Sequence, residues 1–288
     1  MRTARLTPWV LVGPALALVT VFVALPVVAV AALTLLRVDL LGGSVSFTGL
    51  QNLATETTDP EFGRALANTL LYTVGPSVAG GLAAALLIHG SGRGAAFWRG
   101  AYFLPAACTL VAMAGVWRWM FAADAGVIDR LLAPVLGLRD WLGDPSLALV
   151  ALAVVGVWHQ VGLVAVIYLA ALANVNPDSL DSARLDGAGP GGRFRHVVWP
   201  TLGPTTVFVL VLMIGNALQA YDTVAAMTRG GPLGATQTLT YVMWVRGIEY
   251  FDLGRAAVLA VVLLVAALAV ASLSRSRWGR GLERAGRR

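Results

Sequence analysis

Apolar residues in this chain come in long runs separated by short polar segments. Six runs reach the roughly 20 residues that cross a hydrocarbon layer: 9–36, 66–89, 101–121, 146–172, 201–220 and 254–274. The second contains Pro76 and the Gly80-Gly81 pair, breaks that neighbouring helices can satisfy. The pattern predicts an all-α polytopic membrane protein of six transmembrane helices, forming one domain over 1–288. The first run is too long for a signal-peptide core and has no small-residue cleavage site before polar sequence, so it reads as a retained span. Turn signals punctuate the segments between spans: Gly42-Gly43, Asp59-Pro60, Asp144-Pro145 and Gly230-Gly231-Pro232.

Composition agrees with the pattern. The 288 residues are 58% hydrophobic and 12% charged, against about 25% charged in a soluble domain, and the mean hydropathy is +0.76. All 21 basic residues are Arg, which we read as coding bias. With the N-terminus inside, 13 of the 21 fall on inner segments, so both termini are expected in the cytoplasm. The net charge of +6 is not that of a nucleic-acid binder, whose basic residues would share a solvated face; here they flank apolar spans. The Arg-rich tail after Ser274 reads as a stop-transfer flank that touches anionic membrane lipid. Cys108, the single cysteine, excludes an intrachain disulfide framework and reads as packing. Without any Lys the chain has no Gly-x-x-x-x-Gly-Lys-Ser/Thr phosphate loop. Three distant His residues make no metal site, and no catalytic set is present.

The inner segment 173–200 carries the most information. Pro177 suits a helix start and Asp178 its first turn, predicting a short helix over 178–186. Gly187 and Gly189-Pro190-Gly191-Gly192 end it. A second short helix is expected over Arg193–Trp199, with Pro200 opening the next span. Two short helices at an elbow form a knob suited to a partner's cleft. Asp181-Ser182-Ala183, three residues, Gly187, nine residues and Val197-Val198-Trp199-Pro200 resemble the cytoplasmic EAA loop of bacterial ABC importer permeases, EAA-x3-G-x9-I-x-L-P. Asp181 replaces Glu, Ser182 replaces Ala and Trp199 replaces Leu.

Further matches resemble the sugar-permease branch and are spread over nearly the full chain. Leu172, Pro177 and Arg184 to Ala188 follow its version of the loop. Tyr221-Asp222-Thr223, Thr228-Arg229-Gly230-Gly231-Pro232 and Thr238-Leu239 follow its "FD…LTxGGP…T-x-T-L" stretch. Asp252-Leu253-Gly254-Arg255-Ala256-Ala257, Phe47-Thr48-Gly49-Leu50-Gln51-Asn52 and Asn68-Thr69-Leu70 follow shorter motifs. The resemblance implies a type I importer permease in the bacterial plasma membrane. A second permease, an ATP-binding subunit dimer holding ATP and Mg, and an extracytoplasmic sugar-binding protein are the implied partners, with no cofactor in this chain. It also implies that Asp181, Ser182, Ala183, Asp186, Gly187, Ala188, Phe194 and Pro200 couple the chain to the ATPase.

Polar groups inside spans are expensive and face bundle interiors. Trp158, His159 and Gln160 in the fourth span, and Asn216, Gln219, Tyr221 and Asp222 at the end of the fifth, are the candidate substrate contacts. Asn216 and Gln219 share a helical face, and amides both donate to and accept from hydroxyls. Each could equally bond a neighbouring helix. Importers of glycerol phosphate, peptide or polyamine remain alternatives. A secondary transporter is disfavoured by the lack of Asp and Glu inside the spans, and an intramembrane enzyme by the lack of paired catalytic groups.

Overall fold

The computed structural model describes residues 7–39, 42–90, 95–137 and 140–285. Its elements are α1 (7–33), β1 Leu36–Asp39, β2 Ser44–Phe47, α2 Gln51–Thr58, α3 Pro60–Gly90, α4 Ala95–Phe103 and α5 Leu110–Met120. Then follow α6 Val127–Leu136, α7 Pro145–Leu172, α8 Pro177–Leu185, α9 Pro190–Ala217, α10 Asp222–Met227, α11 (239–249) and α12 Leu253–Ala285. Among the described residues five continuous helices are long and apolar enough to cross a membrane: Val12–Leu33, Pro60–Gly90, Pro145–Leu172, Pro190–Ala217 and Leu253–Ser272.

Three expectations need correction. Residues 101–121 do not form one helix. After α4 the chain makes a tight 3-10 turn over Leu104–Ala107, and α5 restarts behind an extended Thr109. Pro105 has no N–H to continue the ladder. The fold is mostly helical rather than all-α, because β1 and β2 pair as an antiparallel hairpin. Leu36-Arg37-Val38-Asp39 and Ser44-Val45-Ser46-Phe47 alternate with period two, Gly43 takes φ +63° at the turn, and the Asp39 carboxylate accepts the Gly42 N–H at 2.8 Å. The second short helix of the inner segment is not separate. Residues 190–217 run as one helix with a wide π turn at Phe194–Val198, where the Trp199 N–H reaches the Phe194 carbonyl. Pro200 lies just past that turn, where the ladder has already shifted register and its missing N–H does not stop the helix.

The chain packs as two compact units. The first takes Met1–Phe62 and Val242–Val265. Its helix α1 is apolar all round, and no described side chain in it is buried; such a helix needs lipid or another polypeptide against it. Asn52 fastens α2 to the start of the hairpin, its Nδ2 donating to the Leu36 carbonyl at 2.9 Å and the Thr34 carbonyl at 3.0 Å. A Cβ on Gly254 would fall within 2.6 Å of that Asn52 amide and the Leu36 oxygen, so only glycine lets the start of α12 approach.

Beside this contact lies a buried ion network. Arg255 donates to Glu56 at 2.5 Å and to Asp59 at 2.6 Å, while Arg246 reaches Asp59 at 2.7 Å and Glu61 at 2.9 Å. The Glu56 side chain is 0% exposed. Burial pushes its carboxyl above the usual range against the pull of Arg255 and Arg246. At Asp59 burial acts in the same direction, but the Glu61 N–H and the two guanidiniums outweigh it and hold the carboxyl below the usual range. The two groups respond oppositely to acid. Stability from Asp59 is lost as pH falls through its folded-state pKa, whereas protonation relieves Glu56.

The second unit takes Gly63–Tyr241 and Ala266–Arg288. Its core joins Ala84 and Ala85 of α3, Val164, Ala165, Tyr168 and Leu172 of α7, and Leu202, Val209 and Met213 of α9. Small residues allow this approach, as is general where helices pack in lipid; a Cβ on Gly81 would collide with Val164. Asn68 and Thr69 hold the 228–239 loop. The Asn68 amide donates to the Ala235 and Gln237 carbonyls at 2.9 Å, and the Thr69 hydroxyl accepts the Leu239 N–H at 3.0 Å.

Arg255→Met should strip Glu56 of its nearest cation and destabilise the protein by about 3–5 kcal/mol, the usual effect of breaking a buried pair. Thermal unfolding in detergent checks this. The double variant Glu56→Gln/Arg255→Met should melt higher than Arg255→Met alone, because no unpaired charge remains.

Candidate functional site

A cavity of about 180 Å³ in the second unit is lined by Leu110, Gly156, His159, Gln160, Asn216, Gln219, Ala220, Tyr221, Asp222 and Thr223. Helix spacing builds one wall: Gly156, His159 and Gln160 are i, i+3 and i+4 on α7 and share a stripe. The facing wall is the end of α9 and the bend into α10. Asn216 lies on the last turn of α9, Gln219 to Tyr221 on the bend, and Asp222 and Thr223 open α10. Helix α10 packs in turn on α5, which brings Leu110 to the rim.

Both helix interruptions at the cavity are hydrogen-bonded from outside their own segment. Where α9 ends, the Leu218 carbonyl accepts the Thr240 hydroxyl at 2.5 Å and the Ala220 carbonyl accepts the Thr238 hydroxyl at 2.6 Å. Where α4 and α5 are interrupted, His159 Nε2 lies 3.4 Å from the Cys108 carbonyl. The Gln219 amide donates to the Gly215 carbonyl at 3.1 Å, and the Tyr221 ring stacks on Tyr241 with centroids 6.1 Å apart.

Six of the seven expected substrate contacts thus line one cavity: His159, Gln160, Asn216, Gln219, Tyr221 and Asp222. Trp158 does not. One residue turns a helix by about 100°, so Trp158 points off the stripe; its ring meets Trp117 edge-on at 5.4 Å. It borders a different groove with Trp98, Tyr102 and Pro105. Sequence reasoning missed Gly156, which the i, i+3, i+4 stripe could have supplied, and Leu110, Ala220 and Thr223, which depend on how α5 and α10 pack. Chemically the described lining residues offer amides, an imidazole, a phenol and a hydroxyl, with Asp222 the only carboxylate among them and no Arg or Lys.

The second candidate site is the segment around α8. The Asn176 side chain caps α8 by accepting the Asp178 N–H at 2.9 Å. At the other end Gly187 takes φ +81°, its N–H bonds the Arg184 carbonyl at 3.0 Å and the Ala188 N–H reaches the Ala183 carbonyl at 2.9 Å. This is a Schellman stop, whose left-handed position glycine fills without strain. Leu180, Val197 and Val198 anchor the knob on the core. Asp181, Ser182, Asp186, Gly187 and Pro200 are exposed, while Ala183, Ala188 and Phe194 are half-buried. Leu185 projects with 90% of its surface free. The Arg184–Asp181 pair at 2.7 Å is exposed and adds little.

Comparison with known proteins gives a consistent family. Residues 77–285 match the family described as binding-protein-dependent transport system inner membrane component. The lactose transport system permease protein LacF of Rhizobium radiobacter is 32% identical over 271 residues, 90% of each chain. The sn-glycerol-3-phosphate transport system permease protein UgpA of Agrobacterium fabrum is 28% identical over 92% of each. The crystal structure of a bacterial ABC transporter involved in the import of the acidic polysaccharide alginate contains a chain of the same fold. It superposes with a TM-score of 0.76 at 21% identity, over 96% of this chain and 99% of that one.

Thr238→Val should leave the Ala220 carbonyl beside the cavity without its hydroxyl partner and lower stability by about 1–3 kcal/mol. Thr238→Ser should retain most of it. Melting temperatures of the two variants in detergent check the prediction.

Proposed function

This chain belongs to the binding-protein-dependent transport system inner membrane component family, and from that premise we propose that it is one of two permease subunits of a carbohydrate importer. Membership makes it a multi-pass plasma-membrane permease of an ABC importer and not itself the ATPase. In our reading it crosses the membrane six times in type I architecture, with the 101–121 segment crossing in pieces and both termini in the cytoplasm. A second permease completes the pathway, and an external sugar-binding protein delivers solute to it. ATP and Mg are held by the partner ATPase.

One observation carries the substrate class. Several polar side chains line the cavity, yet no Arg or Lys is among its described lining residues. A phosphate-bearing solute would call for a cation there, so the lining favours a neutral polyol over glycerol phosphate. Amides match hydroxyls in both directions, and the Tyr221 ring offers a face for a sugar's CH surface. The cavity is smaller than the roughly 300–1,000 Å³ of drug-sized sites, which suits one sugar ring at a time.

Coupling rests on the knob. Seating Leu185, 90% exposed, in a partner's cleft would remove its apolar surface from water. ATP binding would close the ATPase dimer, and the knob would move with it.

The test is ATPase activity of the complex purified with its co-encoded subunits. It is measured with and without binding protein, over neutral sugars and sn-glycerol 3-phosphate. Stimulation by one neutral sugar is expected; stimulation by glycerol phosphate alone overturns the carbohydrate reading. Gly187→Val, which forces a β-branched residue to φ +81° at about 1–2 kcal/mol, should cut stimulated activity roughly tenfold. Gly187→Asn, which accepts left-handed backbone, should keep it. Equal activity of both variants would rule out the knob as the coupling element.

A further inference from the structure

The cavity wall holds a hydroxyl with nothing to bond. Thr223 is 1% exposed, it lines the cavity, and its Oγ1 is buried with no hydrogen-bond partner among the described residues. Among the described residues no other threonine is left in that condition. Thr69, Thr201, Thr206 and Thr228 each turn the hydroxyl back to the carbonyl four residues earlier, at 2.7–3.2 Å. Such back-bonding is the ordinary refuge of a helical hydroxyl. For Thr223 the residue four earlier is Gln219, on the bend that separates α9 from α10, and the turn there does not offer it that carbonyl. Leaving a buried hydroxyl unmade is costly, and each such group in a folded protein calls for an explanation.

We propose that the Thr223 hydroxyl is a substrate contact and a specificity-determining group: it bonds a hydroxyl of the transported solute in the cavity it shares with Gln160, Asn216 and Asp222. The inference rests on the reading of this cavity as a substrate site and deepens it. A site built to bond a hydroxyl discriminates strongly against an analogue lacking it, because the protein group is then left unpaired again. Thr223 therefore selects for a polyol and against a deoxy analogue. Asn216, on the end of α9 in the same wall, and Asp222, the chain neighbour of Thr223, supply further acceptors in the lining. The packing of α10 on α5 sets where Thr223 sits.

Valine is nearly isosteric with threonine and removes only the hydroxyl. The test compares the native complex with Thr223→Val and Thr223→Ser. The solute is whichever of the neutral sugars or sn-glycerol 3-phosphate stimulates the native complex best. The readouts are the KM for solute-dependent ATPase stimulation, its maximum, and the melting temperature. If the hydroxyl contacts solute, Thr223→Val raises KM roughly tenfold, with the maximum little changed, and Thr223→Ser returns within about twofold of native. The native complex should also prefer its solute over the matching deoxy analogue, and Thr223→Val should shrink that preference. An unchanged KM in Thr223→Val overturns the proposal, whatever the melting temperature does; a rise in melting temperature with unchanged KM would mark the hydroxyl as a purely structural defect. The identity of the best solute reports separately on the carbohydrate reading, since the Thr223 comparison runs with either class.

Discussion

Hydrocarbon offers no hydrogen bonds, so each backbone N–H and C=O at membrane depth must find its partner within the protein. Long helices meet that demand by themselves, and they make up most of this chain. The interesting places are where they stop. The interruption at 218–221 lines the cavity, and the one at 104–109 ends just before Leu110 on its rim. The Leu218 and Ala220 carbonyls accept from Thr240 and Thr238, and His159 Nε2 lies beside the Cys108 carbonyl. Irregular backbone is tolerated in a membrane only where it is buried in protein or lines a cavity, and here side chains from other segments meet its carbonyls.

The same demand gives a physical meaning to short motifs scattered through the sequence. Asn52 ties the Thr34 and Leu36 carbonyls and meets the glycine gap at Gly254. Asn68 and Thr69 clamp the 235–239 backbone. Each motif residue is a fastener between segments far apart in sequence. The Arg255–Glu56 contact does comparable work with charge, and the full burial of the Glu56 carboxylate makes it the most sensitive of these joints.

Much of this was legible beforehand, and the failures have specific causes. Long apolar runs announced four of the spans after α1 as continuous helices, because length and hydropathy are local properties. The run at 101–121 looked equally apolar, but Pro105 removed a donor that hydropathy does not register. The hairpin was written in plain alternation at 36–39 and 44–47 and was passed over because the segment lay between spans. Asn216 and Gln219 share a face by spacing alone. Trp158, next to the lining residue His159, was expected at the site with the polar residues of its span, but helical rotation directs it elsewhere. Thr223 could not be singled out, since nothing local says that its hydroxyl lacks the usual carbonyl; that depends on the bend before α10.

The continuity of α9 has a mechanical corollary. The helix begins in the knob at Pro190 and ends at the cavity wall, with Asn216 one residue from its last. At 1.5 Å per residue the two ends are about 40 Å apart. A rod of that length is a lever arm: a tilt of about 5° about either end sweeps the other through roughly 3 Å, about the reach of one hydrogen bond. The π turn at Phe194–Val198 lies between the knob and the rest of the rod. If the knob couples to the ATPase as proposed, torque there would pass through that turn and reach the cavity wall as displacement.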